Sequence, residues 1–130
     1  MSNNGNDEKE MRNILLVDDD DDLRYLMAEY FYHIGYNVVL ASDGDEAFEL
    51  FQHQKFDLVI TDVRMPKMNG LRLLRHIKSS YPNLPIILMT GFELSKRDLA
   101  NMRYNADAYI AKPFSLEYMR KIIESLMDKK

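Results

Sequence analysis

The sequence predicts an α/β fold in which helices cover both faces of a parallel sheet, and three observations predict it. From Asn13 onward, short aliphatic or β-branched runs alternate with longer segments of helical period, the rhythm of successive βα units. Four of the five short runs are almost continuously apolar, as strands are when both of their faces are covered. Gly35, Pro82 and Pro85 stand where helical segments must stop, the glycine by tolerating a left-handed backbone and the prolines by lacking an amide donor.

The elements follow in order. Residues 1–12 are polar and without periodicity and are expected to form a flexible tail, leaving one domain over 13–128. Strands are expected at Ile14–Val17, Asn37–Leu40, Leu58–Thr61, Ile86–Met89 and Ala108–Ile110. In the first helix Leu23, Leu26, Met27, Tyr30, Phe31 and Ile34 recur at three-four spacing as one buried stripe. The second spans 45–53, with Asp43 as N-cap and Glu46 three residues on, the spacing of a capping box. The third starts near Gly70 and carries Leu71, Leu74 and Ile77. A fourth is expected over 95–104, on a weaker pattern. The fifth follows Ser115 as N-cap and buries Leu116, Met119, Ile122, Ile123 and Leu126.

Composition narrows the class of partner. A 130-residue chain, 46% hydrophobic and 29% charged, suits one soluble domain with a sizeable core. A net charge of −4 gives no general attraction for phosphate backbones, so direct nucleic-acid binding by this domain is not expected. The absence of cysteine excludes disulfides and thiolate metal sites. No apolar run has the length of a signal peptide core or membrane span, which points to a cytoplasmic protein without membrane contact.

The stretch VDDDDDLR, Val17 to Arg24, sets five aspartates directly behind the first strand. Charge runs are usually solvated surface. Right-handed crossovers, however, bring the C-terminal ends of parallel strands to one edge of a sheet, where α/β folds hold their ligands. Asp18 and Asp19 follow the first strand, Asp62 the third, Thr90 ends the fourth and Lys112 follows the fifth. Three crowded carboxylates repel one another unless a cation lies among them, and an all-oxygen donor set suits Mg²⁺. Asp20, Asp21 and Asp22 are expected instead to start the first helix, where carboxylates cap amides and meet the positive end of the dipole.

ILLVDDD, DLVITDVRMPKMNGLRLL, ILMTG and YIAKPF stand in this order across nearly the whole chain. Together they resemble the receiver domain of bacterial two-component response regulators, of the chemotaxis-regulator type. The resemblance implies a flavodoxin-like (βα)5 doubly wound sheet of order 2-1-3-4-5. It implies that Asp62 is the phosphorylated residue, and that Asp18, Asp19, Asp62 and the backbone carbonyl of Arg64 hold Mg²⁺. Lys112 would pair with a phosphoryl oxygen, Thr90 would donate a hydrogen bond, and Gly91 would leave room for the incoming group. In that strand order Lys112 lies two strand spacings from Asp62, roughly 10 Å, which only a long cationic side chain spans.

The resemblance further implies a cis Lys112-Pro113 bond, a switch made by Thr90 and Tyr109, and Arg64 and Phe92 flanking the path of hydrolytic water. The expected donor is a sensor histidine kinase or a histidine phosphotransfer protein. Output, to a second copy or a downstream protein, is expected through the face of the fourth helix, fifth strand and fifth helix, with Asn101, Tyr104, Tyr109 and Tyr118 near its surface. The protein would be a signalling phosphoacceptor, not an enzyme. A flavin-binding protein of the same fold and a pseudo-receiver that only binds partners are the competing readings. Against the first, carboxylates replace a phosphate-cradling glycine loop after the first strand; against the second, the acid, threonine and lysine set is intact. Asn69 departs from the family's usual aspartate there, a substitution that a turn tolerates.

Overall fold

The computed structural model describes residues 11–63, 69–91, 100 and 106–128. Five strands, β1 (Asn13–Val17), β2 (Asn37–Ala41), β3 (Leu58–Asp62), β4 (Ile86–Thr90) and β5 (Ala108–Ala111), form one sheet of order β2-β1-β3-β4-β5. Every neighbouring pair is parallel. The described helices are α1 (Asp21–His33), α2 (Gly44–His53), α3 (Gly70–Ser80) and α4 (Leu116–Met127). The helix expected over 95–104 lies outside the described residues, as do Arg64, Phe92, Asn101 and Tyr104.

Period-two alternation divides the core into two layers. Ile14 and Leu16 of β1, Leu58 and Ile60 of β3 and Ile87 and Met89 of β4 face α1 and α4, packing on Met27, Phe31, Met119, Ile123 and Met127. Leu15, Val17, Val59 and Leu88 face the other way, onto Ala47 of α2 and Leu71, Leu73, Leu74 and Ile77 of α3. Helices thus cover both faces, which is why the strand runs are continuously apolar. Phe31 is fully buried, and its truncation to alanine is of the kind that costs about 3–5 kcal/mol.

The caps follow the local sequence. Asp20 accepts from the Leu23 amide at 3.2 Å, with Asp21 and Asp22 in the first turn of α1. Asp43 accepts from the Glu46 amide at 2.8 Å. The Glu46 carboxylate reaches back one residue further than a capping box requires, accepting from the amide and hydroxyl of Ser42. Asn69 is more than a turn residue, for its side chain accepts from the Arg72 amide and caps α3. Ser115 caps α4, and Gly35 has φ 105° beyond α1, a region glycine enters without a Cβ penalty.

Two expectations are corrected. Leu26 is 56% exposed, because a stripe six residues wide exceeds what one face of the sheet covers; the buried line of α1 is Arg24, Met27 and Phe31. The strands β2 to β5 also run on one residue past their expected C-terminal ends, since pairing and not apolarity ends them. Asp62 pairs with Met89 and Thr90 with Ala111, so both polar residues are the last members of strands. At the other edge of the sheet, the Arg12 carbonyl accepts from the Asn37 amide at 2.9 Å. Among the described residues, no helix is long and apolar enough to cross a membrane.

Candidate functional site

Asp18 follows β1 and is fully buried; Asp62 ends β3 and Thr90 ends β4, each 7% exposed. Strand pairing continues past each end: the Asp18 amide donates to Ala41, that of Val63 to Met89, and that of Lys112 to Thr90. The side chains at this edge are therefore placed by the sheet. Asp18, Asp19 and Asp62 each offer a carboxylate oxygen, all within 4.8 Å of one another. Hard oxygen donors this close, one of them exposed and open to water, fit a divalent cation such as Mg²⁺.

Lys112 reaches across the sheet to this cluster. Its Nζ lies 2.9 Å from Asp62 Oδ2 and 3.0 Å from Asp18 Oδ2, although β4 separates β5 from β3. Burial, the largest single influence, pulls the Lys112 pKa down. The hydrogen bonds to Asp62 and Asp18 and their negative charges together outweigh it, so the ammonium is held above the ordinary lysine value. The following Lys112-Pro113 bond is cis, as expected.

Thr90 Oγ1 donates to the Ile110 carbonyl at 3.4 Å. That is long for an O–H···O bond and correspondingly weak, so the hydroxyl is engaged with backbone but loosely held. Tyr109, the residue before Ile110 on β5, stands 47% exposed. Tyr118, on α4, is 54% exposed.

Two contributors escaped the sequence reading. Arg24 is buried and donates to the Asp18 carbonyl; a charged residue three before Met27 and seven before Phe31 lies on the same buried line, and that spacing was the available signal. Gly70 packs its α-carbon onto the peptide that follows Asp62, and its amide donates to Val63 at 2.8 Å. The glycine at the start of a helix is a faint signal on its own. Arg64, expected to supply a carbonyl, lies outside the described residues.

The comparison that decides the family is a match of residues 14–124 to the response regulator receiver domain. The chain belongs to the response regulator receiver domains. This receiver domain is 37% identical over 121 residues to the transcriptional regulatory protein RprY of Bacteroides fragilis, covering 93% of the chain and 51% of RprY. It spans about half the length of the curated relatives it matches. A receiver domain protein from Clostridium thermocellum superposes with a TM-score of 0.85 at 27% identity, covering 92% of this chain and 96% of that one. The response regulator TrrA from Thermotoga maritima, solved in complex with Mg²⁺-BeF, superposes at 0.81 with 33% identity, covering 89% and 99%. Receiver domains belong to two-component systems, and the acidic cluster of this one suits both Mg²⁺ and a phosphorylated aspartate.

Proposed function

We propose that this receiver domain is a phosphoacceptor in which Asp62 takes a phosphoryl group from a sensor histidine kinase or a histidine phosphotransfer protein. The observation that carries the reading is the position of the Asp62 carboxylate, held by Lys112 on one side and facing Asp18 and Asp19 on the other. An Asp62 oxygen attacks phosphorus while the bond from phosphorus to the donor imidazole nitrogen breaks. The electron pair returns to the imidazole, and an acyl phosphate remains on Asp62. Asp18, Asp19 and Asp62 would hold Mg²⁺, which when bound neutralises charge developing on the phosphoryl oxygens. Lys112 supplies a second cation to those oxygens, and Thr90 a hydroxyl donor. On this reading the domain is a signalling phosphoacceptor, not an enzyme, with self-phosphorylation and autodephosphorylation chemistry of its own, water releasing phosphate and regenerating the Asp62 carboxylate.

In the same reading, the phosphoryl group offers Thr90 a better acceptor than the Ile110 carbonyl 3.4 Å away. Movement of the hydroxyl inward opens space for the exposed ring of Tyr109, and the surface of the fourth expected helix, β5 and α4 changes for a second copy or a downstream protein. Two states separated by a few kcal/mol suffice for such a shift. With a net charge of −4 we assign the domain itself no nucleic-acid contact. RprY is named a transcriptional regulator, so DNA binding by a segment beyond this domain is compatible with the proposal. A cytoplasmic location matches the proposed donors.

The test is incorporation of label from a small phosphodonor. Wild-type protein should gain about one acyl phosphate per chain, dependent on Mg²⁺ and abolished by chelation, and Asp62→Asn should gain none. Label of the same lability on Asp62→Asn would overturn the assignment.

A further inference from the structure

Arg24 is the one basic side chain buried among the described residues, and the chemistry proposed above gives it no part. Its Nη1 donates to the carbonyl oxygen of Asp18 and its Nη2 to Asp21 Oδ1, each at 2.5 Å. With that bond, Asp18 is held at every polar atom. Its amide donates to Ala41 at 3.1 Å, its Oδ1 accepts from the Asp20 amide at 2.9 Å and its Oδ2 from Lys112 at 3.0 Å. Sheet, turn and site lysine supply three of these partners; only the carbonyl depends on a side chain of α1.

That carbonyl belongs to the peptide joining Asp18 to Asp19. Asp19 is the exposed member of the acidic trio, and its carboxylate makes no hydrogen bond among the described residues. The direction of the Asp19 side chain is therefore inherited from the peptide that carries it. We infer that Arg24 is a positioning residue for the divalent cation: it fixes the Asp18–Asp19 peptide plane and so aims the Asp19 carboxylate at the oxygens of Asp18 and Asp62. The inference rests on the proposed Mg²⁺ site.

A guanidinium beside a cation site also repels the cation, so the two effects must be weighed. The Arg24 charge is paired with Asp21, which cancels much of its field at the cluster. Loss of orientation around a metal typically costs about 10–100-fold in affinity, and at this site orientation outweighs the residual repulsion. The two effects carry opposite signs, which makes the inference directional.

Mg²⁺ is titrated into the folded protein well below its thermal midpoint, following the amide resonances of Asp19 and Asp20, for wild type, Arg24→Met, Arg24→Lys and Asp21→Asn. Arg24→Met should weaken Mg²⁺ binding about tenfold and displace the Asp19 and Asp20 amides before metal is added. Arg24→Lys, which keeps a cationic N–H donor on a slightly shorter side chain, should recover part of the loss. Asp21→Asn, which keeps an acceptor for Arg24 but removes its paired charge, should weaken Mg²⁺ binding less than Arg24→Met does. A purely structural Arg24 would lower the thermal midpoint and leave the affinity of the folded protein alone. Unchanged or tighter Mg²⁺ binding by Arg24→Met, or failure of Arg24→Lys to recover any affinity in a folded protein, overturns the inference. Absence of Mg²⁺ binding by wild type overturns the metal site beneath it.

Discussion

A Cβ placed on Gly70 would lie 2.1 Å from the carbonyl oxygen of Asp62 and 3.0 Å from the α-carbon of Val63. The N-terminus of α3 therefore rests directly on the backbone at the end of β3, with no room for a side chain. The obstructing atoms are backbone, so nothing can swing aside. Gly70→Ala should cost about 1–3 kcal/mol, the range for overpacking a close contact, and should slow phosphorylation of whatever fraction folds. A denaturation midpoint and labelling rate equal to wild type would show that β3 and α3 can separate freely.

Lys112 pairs with both Asp18 and Asp62, two buried carboxylates that repel each other. Lys112→Met leaves two buried carboxylates without it, and breaking a buried pair in this way costs about 3 kcal/mol. A cation bound only by the folded state restores stability by mass action. Millimolar Mg²⁺ should therefore raise the thermal midpoint of Lys112→Met more than that of wild type. An equal rise in both would show that the lysine does not offset the same repulsion.

The proposed switch separates two variants. Thr90→Ala should still be phosphorylated, more slowly, but should fail to change the surface, whereas Tyr109→Ala should be phosphorylated normally and bind its partner or itself differently. NMR of free and beryllofluoride-bound wild type checks the coupling. If Asp62 is occupied while the resonances of Tyr109 and of residues 95–104 stay where they were, signalling takes another route.

Tyr36 offers a pH dependence. Its pKa is raised, first by burial and then by the negative charges of Glu124 and Asp128. A phenol whose folded pKa exceeds its unfolded value, near 10, favours the folded state below that value and loses the contribution as pH rises through the folded pKa. Stability should therefore fall between about pH 10 and the folded value, and Tyr36→Phe should fall less steeply. Urea midpoints of both proteins at pH 9 and above 10 measure the difference; parallel slopes would remove Tyr36 from the account.

The sequence exposed the sheet, the strand-end acids, the caps and the cis bond because each depends on short-range pattern: apolar runs, a carboxylate or hydroxyl before a helix, a quoted motif. It hid what depends on how the elements pair and pack on one another. Asp62 read as a residue just beyond its strand, because its membership comes from pairing with Met89. Leu26 read as core because a helix does not reveal how wide a face its neighbours cover. Arg24 drew no reading, because the carbonyl that receives its guanidinium is brought to it only when α1 packs on the end of β1. Gly70 read as a helix start, since its closeness to Asp62 exists only once α3 folds back on β3.

The ladder bonds that run past the strand ends have a consequence for how this edge of the molecule breathes. The amides of Asp18, Val63 and Lys112 are donors to Ala41, Met89 and Thr90 on neighbouring strands, so none can be freed by the fraying of its own loop. Each must await separation of strands whose side chains fill both core layers, the openings that cost most in a folded protein. Solvent deuterium should therefore enter these positions late, alongside the centre of the sheet. On this expectation the candidate site lies on slowly exchanging backbone among the described residues, and the proposed switch is left to the hydroxyl of Thr90 and the ring of Tyr109.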